Sequence, residues 1–159
     1  MQANTYLKYG PIKGETTATG FKDMITVLSL DFNVSREISS YTGTAMDRES
    51  SSTRLGDLTI TKLQDKASTD LFKEATIGKS LPAVFHITKQ GDVVEEIMKI
   101  ELTDAMISSY SVSIQGDRPI ETITISYTEM MMTVTPTDDN NSITAPLVYG
   151  YSGAKGQQM

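Results

Sequence analysis

The sequence predicts a mainly β protein: a compact barrel or two-sheet sandwich of about seven to nine strands with one short helix. Segments in which apolar and polar residues alternate recur along most of the 159-residue chain. Clusters of Gly, Pro, Asn and Asp separate these segments and are typical of turns. Only one stretch, near residue 70, changes from the two-residue period of a strand to the spacing of a helix.

The alternating segments place predicted strands along the whole chain. They comprise residues 6–9, 24–34, 55–62, 83–89, 93–102, 107–114, 120–135 and 143–151. Strand 120–135 is the longest, and Pro146 favours an edge position for the last strand because proline cannot donate a ladder hydrogen bond. Residues 109–113 and 122–128 are rich in Ser and Thr, so we expect a polar sheet face that is satisfied where it meets water.

The one predicted helix covers about residues 68–77, within DLTITKLQDKASTDLFKEATIGK. Ser68 is a suitable N-cap, because its hydroxyl can accept a hydrogen bond from a free N–H of the first turn. Gly78 suits the end of the helix, where a left-handed residue is needed. The apolar stripe consists of Leu71, Phe72 and Ala75. Such a short helix is unstable alone in water, so it must lie against the sheet or close one end of a barrel.

Residues 36–54, REISSYTGTAMDRESSSTR, lack this patterning. The segment is rich in Ser and Thr, carries both charges, and has few large apolar side chains. A loop of this length within a compact domain is uncommon. Two interpretations remain open: a surface loop without a partner, or an arm that becomes ordered against one.

Length and composition limit the possible classes of protein. A chain of 159 residues fits a single domain over residues 1–159, with a C-terminus at 152–159 that we expect to fray. There is no cysteine, so disulfides and thiolate metal sites are excluded. The net charge of -6 argues against binding to nucleic acid or to an anionic membrane. The N-terminus has no apolar core of a signal peptide, so any export is expected to proceed without a cleaved leader.

Residue patterns of catalysis or metal binding are absent from the sequence. His86, the only histidine, lies in a predicted strand without further ligands at metal-binding spacing, and we interpret it as an ordinary strand residue. No nucleophile elbow and no phosphate-binding glycine motif occurs. Asp47 and Glu49 flank Arg48, which is typical of a solvated charge cluster. We therefore predict neither an enzyme nor a cofactor or metal site.

Three segments together resemble the Hcp family, the tube-forming proteins of bacterial type VI secretion. They are IKGETTATGFKDMITVLSL from residue 12, ITKLQDKASTDLFKEATIGK from residue 60, and PIETITISY from residue 119. Their order and spacing, over most of residues 6–136, carry the resemblance. The matching motif residues, which the resemblance implies to be structural, are Gly14, Glu15, Asp65, Lys66, Ser68, Gly78 and Glu121.

The resemblance implies a compact β-barrel with one flanking helix that assembles into a homohexameric ring. Rings would stack head to tail into a tube, which a contracting sheath expels with effector proteins in its lumen. Sheath and tip-spike proteins would be further partners, and the protein would pass from the bacterial cytoplasm to the medium or a target cell. The segment 36–54 would contact a neighbouring subunit or ring. The candidate contact residues are Arg36, Tyr41, Met46, Asp47, Arg48, Glu49 and Arg54.

Other functional classes remain open at this stage. A phage-type tail-tube protein would share the same fold. A small-ligand-binding β-barrel would need a closed apolar cavity, which the polar strand faces disfavour. A hydrolase would need a nucleophile paired with a base, and the sequence does not indicate such a pair.

Overall fold

A computed structural model describes residues 3–38, 50–90, 94–136 and 145–159. Within these ranges the chain forms one helix and twelve strands. The helix α1 is Ser68–Ile77, and the strands are β1 Ala3–Tyr9, β2 Ile25–Val27, β3 Ser29–Asp31, β4 Val34–Ile38, β5 Ser50–Leu55, β6 Leu58–Leu63, β7 Leu81–Lys89, β8 Glu95–Ser113, β9 Ile120–Ser126, β10 Glu129–Val134, β11 Leu147–Ser152 and β12 Gln157–Gln158. The predicted class, mainly β with one short helix, is confirmed.

Two antiparallel layers share the long strand β8. The first layer has the order β12-β11-β10-β8-β7-β1-β2, and it uses the first half of β8. The second layer has the order β3-β6-β9-β8, and it uses the second half of β8. The strands β4 and β5 pair only with each other in the described part of the chain and form a separate two-stranded ribbon.

The apolar core lies between the two layers. Leu7, Phe85 and Ile100 come from the first layer, whereas Ile60 and Ile123 come from the second, and all five are at most 1% exposed. Burying such side chains is the main favourable term in folding, at roughly 1.5–3 kcal/mol each. The barrel-like sandwich therefore follows from the alternation of apolar residues along both layers.

The predictions of separate strands at 93–102 and 107–114 are wrong, because residues 95–102 and 107–113 belong to one 19-residue strand, β8. The polar residues between them do not end the strand. Asp104 instead takes a left-handed φ of 53°, and the pairing register shifts between Ile107 and Ser109. These irregularities bend β8, so that one strand passes from the first layer into the second.

Conversely, the single strand predicted at 120–135 is two strands, β9 and β10. The break lies at Tyr127 and Thr128, after which the chain moves from the second layer to the first. The predicted strand 24–34 is likewise divided, into β2, β3 and the start of β4. Leu28, which is 56% exposed, separates β2 from β3 and interrupts the alternation.

The helix occupies the predicted residues, and Gly78 ends it with a left-handed φ of 75°. Two details of the prediction are wrong. The N-cap is Ala67, and Ser68 does not cap the helix, because its hydroxyl is engaged elsewhere. Phe72 does not belong to the buried stripe, since it is 59% exposed while Leu71 is buried.

Residues 36–54 are not a loop throughout. Arg36 and Arg54 lie in β4 and β5, and these strands form the base of an arm that projects from Asn33 and Gly56. The C-terminal residues also differ from the prediction of fraying. They turn back so that β12 pairs with β11, and the N–H of Met159 donates to the carbonyl of Gly150 at 3.0 Å.

Candidate assembly surfaces

The second layer exposes a face rich in hydroxyl groups. The pairing registers align its side chains into two rows that cross all four strands. One row is Ser29, Thr61, Thr122 and Ser111, and the other is Asp31, Thr59, Thr124 and Ser109. Ser29 and Thr61 hydrogen-bond to each other through their hydroxyls at 2.6 Å. The Ser- and Thr-rich segments at 109–113 and 122–128 thus contribute to one surface.

This layer also has two open edges within the described residues. β3 pairs with β6 on one side only, and the second half of β8 pairs with β9 on one side only. Unpaired N–H and C=O groups at an edge are a template for a strand from another chain. The two edges lie on opposite sides of the layer, so they are suited to a contact between different surfaces of two copies.

The inner face of the same layer contains a buried ion pair. Lys62 and Glu121 lie opposite each other on β6 and β9, and they are 0% and 1% exposed. The Lys62 Nζ donates to the Glu121 Oε1 at 2.5 Å and to the Asp65 Oδ1 at 3.1 Å. It also donates to the carbonyl of Leu63 at 2.9 Å. A buried charge is tolerated only with such partners.

The ion pair is connected to the start of α1. The hydroxyl of Ser68 donates to the Glu121 Oε1 at 2.9 Å and accepts from the N–H of Asp65 at 3.0 Å. The Asp65 Oδ1 accepts from the N–H of Ala67 at 2.9 Å. These bonds satisfy polar groups before the first turn and hold the helix against the sheet. Three motif residues from the second and third segments, Asp65, Ser68 and Glu121, therefore meet at one point.

Tyr110 of β8 joins Lys62, Asp65, Ser68 and Glu121, and these five residues form the buried cluster. The Tyr110 hydroxyl donates to the Glu121 Oε2, and its ring contacts Phe72 at a centroid distance of 5.8 Å. Burial of the phenol, together with the hydrogen bond to the Glu121 carboxylate, raises the pKa of Tyr110. The phenol therefore stays protonated and remains a hydrogen-bond donor at neutral pH.

The first motif segment contacts the same end of the helix. The Glu15 Oε1 accepts from the N–H of Lys66 at 2.9 Å. Gly14 is buried, and a Cβ on it would lie 2.3 Å from the carbonyl oxygen of Met24, so only glycine fits there. Glu15 thus binds the chain at Lys66, next to Asp65 of the buried network, whereas Gly14 packs against the Met24–Ile25 backbone. Gly78 lies at the opposite end of α1.

A groove of about 290 Å³ separates the arm from the first layer. Val34 and Leu55 line its arm side, while Met132 and Tyr149 line the side formed by β10 and β11. Arg36 also lines the groove. Val34 and Tyr149 are 52% and 55% exposed, so the groove presents apolar surface to solvent. Apolar grooves of this kind are typical of interaction sites.

Only part of the predicted contact set lies in the described residues. Arg36 and Arg54 are exposed and point to opposite faces of the ribbon, as their positions on paired strands require. The other five residues of that set lie outside the described residues: Tyr41, Met46, Asp47, Arg48 and Glu49.

Sequence reasoning missed Lys62 and Tyr110 as members of the buried cluster. A signal for Lys62 was present, because it shares the inward parity of Leu58 and Ile60 on β6. Glu121 likewise shares the parity of the buried residues of β9. Opposite charges at inward positions of two neighbouring strands could have predicted a buried pair.

The single histidine of the sequence lies on β7. The His86 Nδ1 lies 2.8 Å from the Glu96 Oε1, and its ring packs against Phe21. Across residues 3–38, 50–90, 94–136 and 145–159, no group of three or more His, Asp and Glu side chains could hold a metal ion. Over the same ranges, no helix has the length and apolar character needed to cross a membrane.

Comparison with known proteins identifies relatives of similar fold. A family model described as "Type VI secretion system effector, Hcp" matches residues 6–134. A solved structure described as a type six secretion system protein is 25% identical, with a TM-score of 0.93 over 99% of this chain and 100% of the other. Hcp1 from Salmonella typhimurium is 23% identical, with a TM-score of 0.81 over 100% of both chains. A type VI secretion system effector from Yersinia pestis is 21% identical, with a TM-score of 0.70 over 93% and 98%. Comparison with curated protein sequences gives no match.

Proposed function

Because the chain belongs to the Hcp family of type VI secretion proteins, we propose that it is a structural and exported subunit of the secretion tube. Six copies close into a ring, rings stack head to tail, and a contracting sheath expels the resulting tube. Effector proteins travel in the lumen. The subunit serves this role by association and does not catalyse a reaction.

The observation that carries this proposal is the hydroxyl-rich face of the second layer. Its two rows contain seven hydroxyl side chains and one carboxylate, that of Asp31, and no cation. Hydroxyl groups are well satisfied by water, so such a face is stable when it lines an aqueous channel. The two rows carry no large apolar side chain and only one charge, so they offer effector proteins little to bind during passage.

The open edges of the same layer supply the ring contact. The β3 edge of one copy lies beside the β8 edge of the next, which is a heterologous contact that closes after a fixed number of subunits. Closure removes the exposed edges, as it does in other barrels. The two hydroxyl rows then continue from subunit to subunit around the lumen.

The arm provides a further contact outside the ring plane. The residues that contact a neighbouring subunit or the next ring are Arg36 and Arg54 of the described strands, and Tyr41, Met46, Asp47, Arg48 and Glu49 of the same sequence segment. The sheath and the tip spike are additional partners of the assembled tube. The protein resides in the bacterial cytoplasm before firing and in the medium or a target cell afterwards.

Light scattering of the purified chain, followed by negative-stain imaging of the same peak, tests the proposal. A hexamer has a mass of 6 × 17.4 kDa, or roughly 104 kDa, and appears as a ring with a central hole. The net charge of six copies is 6 × (-6) = -36. The experiment is therefore made at low and at high ionic strength, because salt screens the electrostatic repulsion between copies but does not create a missing interface. A monomer under all conditions would contradict the proposal.

A further inference from the structure

The second layer ends in an apolar tip, at the hairpin turn that joins β8 to β9. Val112, Ile114 and Ile120 surround this turn and are 48%, 74% and 44% exposed. Ile114 has the most exposed large apolar side chain in the described part of the chain. Val112 lies on the face of Glu121 and Ile120 on the opposite face, so apolar surface is exposed on both sides of the turn. Exposed apolar side chains grouped at a turn cost solubility and indicate a contact surface.

The turn also presents one outward charge. Asp117 is exposed, and no described residue pairs with it. Its neighbour Arg118 is directed back to its own subunit, because its guanidinium Nε donates to the carbonyl of Gln64 at 3.0 Å. The tip therefore combines aliphatic side chains with a carboxylate.

The groove beside the arm has the complementary character. Its walls are apolar, from Val34, Leu55, Met132 and Tyr149, and the charged group that lines it is the cation of Arg36. Its volume of about 290 Å³ lies just below the roughly 300–1,000 Å³ typical of small-molecule sites. A few aliphatic side chains, rather than a large ligand, suit this space.

The tip and the arm lie at opposite ends of the same strand. β6 begins two residues after Gly56, which lies at the base of the arm, and its last residue, Leu63, pairs with Ile120 beside the tip. Six extended residues separate the two ends by about 20 Å. Because one surface is at each end of the layer, they cannot meet within one subunit but can meet between two copies.

We propose that the apolar tip of one copy, led by Ile114, docks into the groove between the arm and β10–β11 of a second copy. Asp117 then faces Arg36, so apolar burial and charge complementarity act together. The proposal rests on the proposed tube: since the edges of the layer close the ring, contacts between its ends join successive rings. It also explains why the arm stands away from the body and leaves the groove open.

Cross-linking in this cysteine-free chain tests the contact directly. A copy with Ile114→Cys is mixed with a copy with Tyr149→Cys, and the mixture is treated with oxidant and, in parallel, with a short bismaleimide. We expect a linked heterodimer on denaturing gels. The matched control replaces Tyr149→Cys by Val148→Cys, which is equally exposed but points to the other face of β11, away from the groove, and it should link at least about tenfold less.

A second variant separates stacking from ring formation. Ile114→Asp should leave the mass of the ring unchanged but raise the protein concentration needed for tubes at least about tenfold, because a buried aliphatic group is lost from every contact. Val148→Asp, at an exposed position of β11 outside the groove and both edges of the second layer, is the control and should form tubes as the wild type does.

The outcomes distinguish the two proposals. Rings that show no preference for the 114–149 link over the control, or that stack normally with Ile114→Asp, would overturn the docking proposal and leave the tube subunit standing. A wild-type chain that forms no rings would overturn the tube proposal instead.

Discussion

The two faces of the second layer are formed by the same four strands but have opposite chemistry. The inward residues of β6 and β9 are Leu58, Ile60, Ile123 and Ile125, together with the ion pair of Lys62 and Glu121. The outward residues at alternating positions are Thr59, Thr61, Thr122 and Thr124. Each inward residue is specified by its neighbours in the core, whereas each outward residue meets solvent or, in an assembly, the lumen. The difference separates what the subunit needs in order to fold from what it needs in order to serve as a tube.

Charge substitutions on adjacent residues should reveal the largest difference between the faces. Ile125→Asp places an unpaired carboxylate in the core and should unfold the domain, at a cost above about 4 kcal/mol. Thr124→Asp, one residue earlier but on the hydroxyl face, should cost about 1 kcal/mol or less. Circular dichroism with urea unfolding measures both. Equal effects of the two substitutions would mean that the faces are assigned incorrectly.

Removing the buried cation should have the next largest effect. Lys62→Met leaves Glu121 buried without a counter-charge and should reduce the free energy of unfolding by about 3–5 kcal/mol. The control is Lys66→Met, four residues later and exposed, which should change it by about 0.5 kcal/mol or less. Urea titration gives both values. A stable Lys62→Met variant would show that the inner face does not depend on its ion pair.

A smaller effect is expected for the hydroxyl that completes the cluster. Tyr110→Phe removes a hydrogen bond to the Glu121 carboxylate and should cost about 1.5–3 kcal/mol. Tyr149→Phe, which alters an exposed tyrosine, should have no measurable effect on unfolding. If the two variants were equally stable, the Tyr110 hydroxyl would contribute nothing to the inner face.

The last prediction concerns Tyr9 of β1, whose contribution to stability changes only at alkaline pH. Its hydroxyl donates to the carbonyl of Ala105 at 2.9 Å, and burial raises its pKa from 10.0 to about 12, with a further contribution from Glu74. The unfolded chain loses this proton first, so the stabilisation is complete below pH 10 and is lost as the pH rises towards 12. Unfolding by urea between pH 9 and 12 should show this decline, and Tyr9→Phe should show less of it. A decline of the same size in Tyr9→Phe would assign it to other groups.

Local signals in the sequence were sufficient for the helix boundaries but not for the role of Ser68. Gly78 ends the helix through its own backbone conformation, which requires no distant partner. The hydroxyl of Ser68 instead bonds to Glu121, 53 residues away, and this bond overrides the local preference for capping. The prediction that Phe72 belongs to the buried stripe is wrong for a similar reason. Its partner, Tyr110 of β8, is distant in sequence and holds the ring at the surface.

The strand boundaries predicted from the sequence are wrong where the chain passes from one layer to the other. Alternation predicts strands but not which layer they join, so the bend at Asp104 was interpreted as a break, and the break at Tyr127 and Thr128 was missed. The roles predicted for the site residues stay predictions. The motif residues around Glu121 were named through a resemblance, and the polar strands through composition. The groove could not be predicted, because it arises only when the arm is placed beside β10 and β11.

Electron cryomicroscopy of the purified assembly would test most directly whether the hydroxyl-rich face lines a lumen. We expect a ring of six copies in which the rows through Thr61 and Thr124 face the central hole and the β3 edge of each copy lies against the β8 edge of the next. A ring with these rows on its outer surface, or an assembly without a central hole, would contradict this assignment.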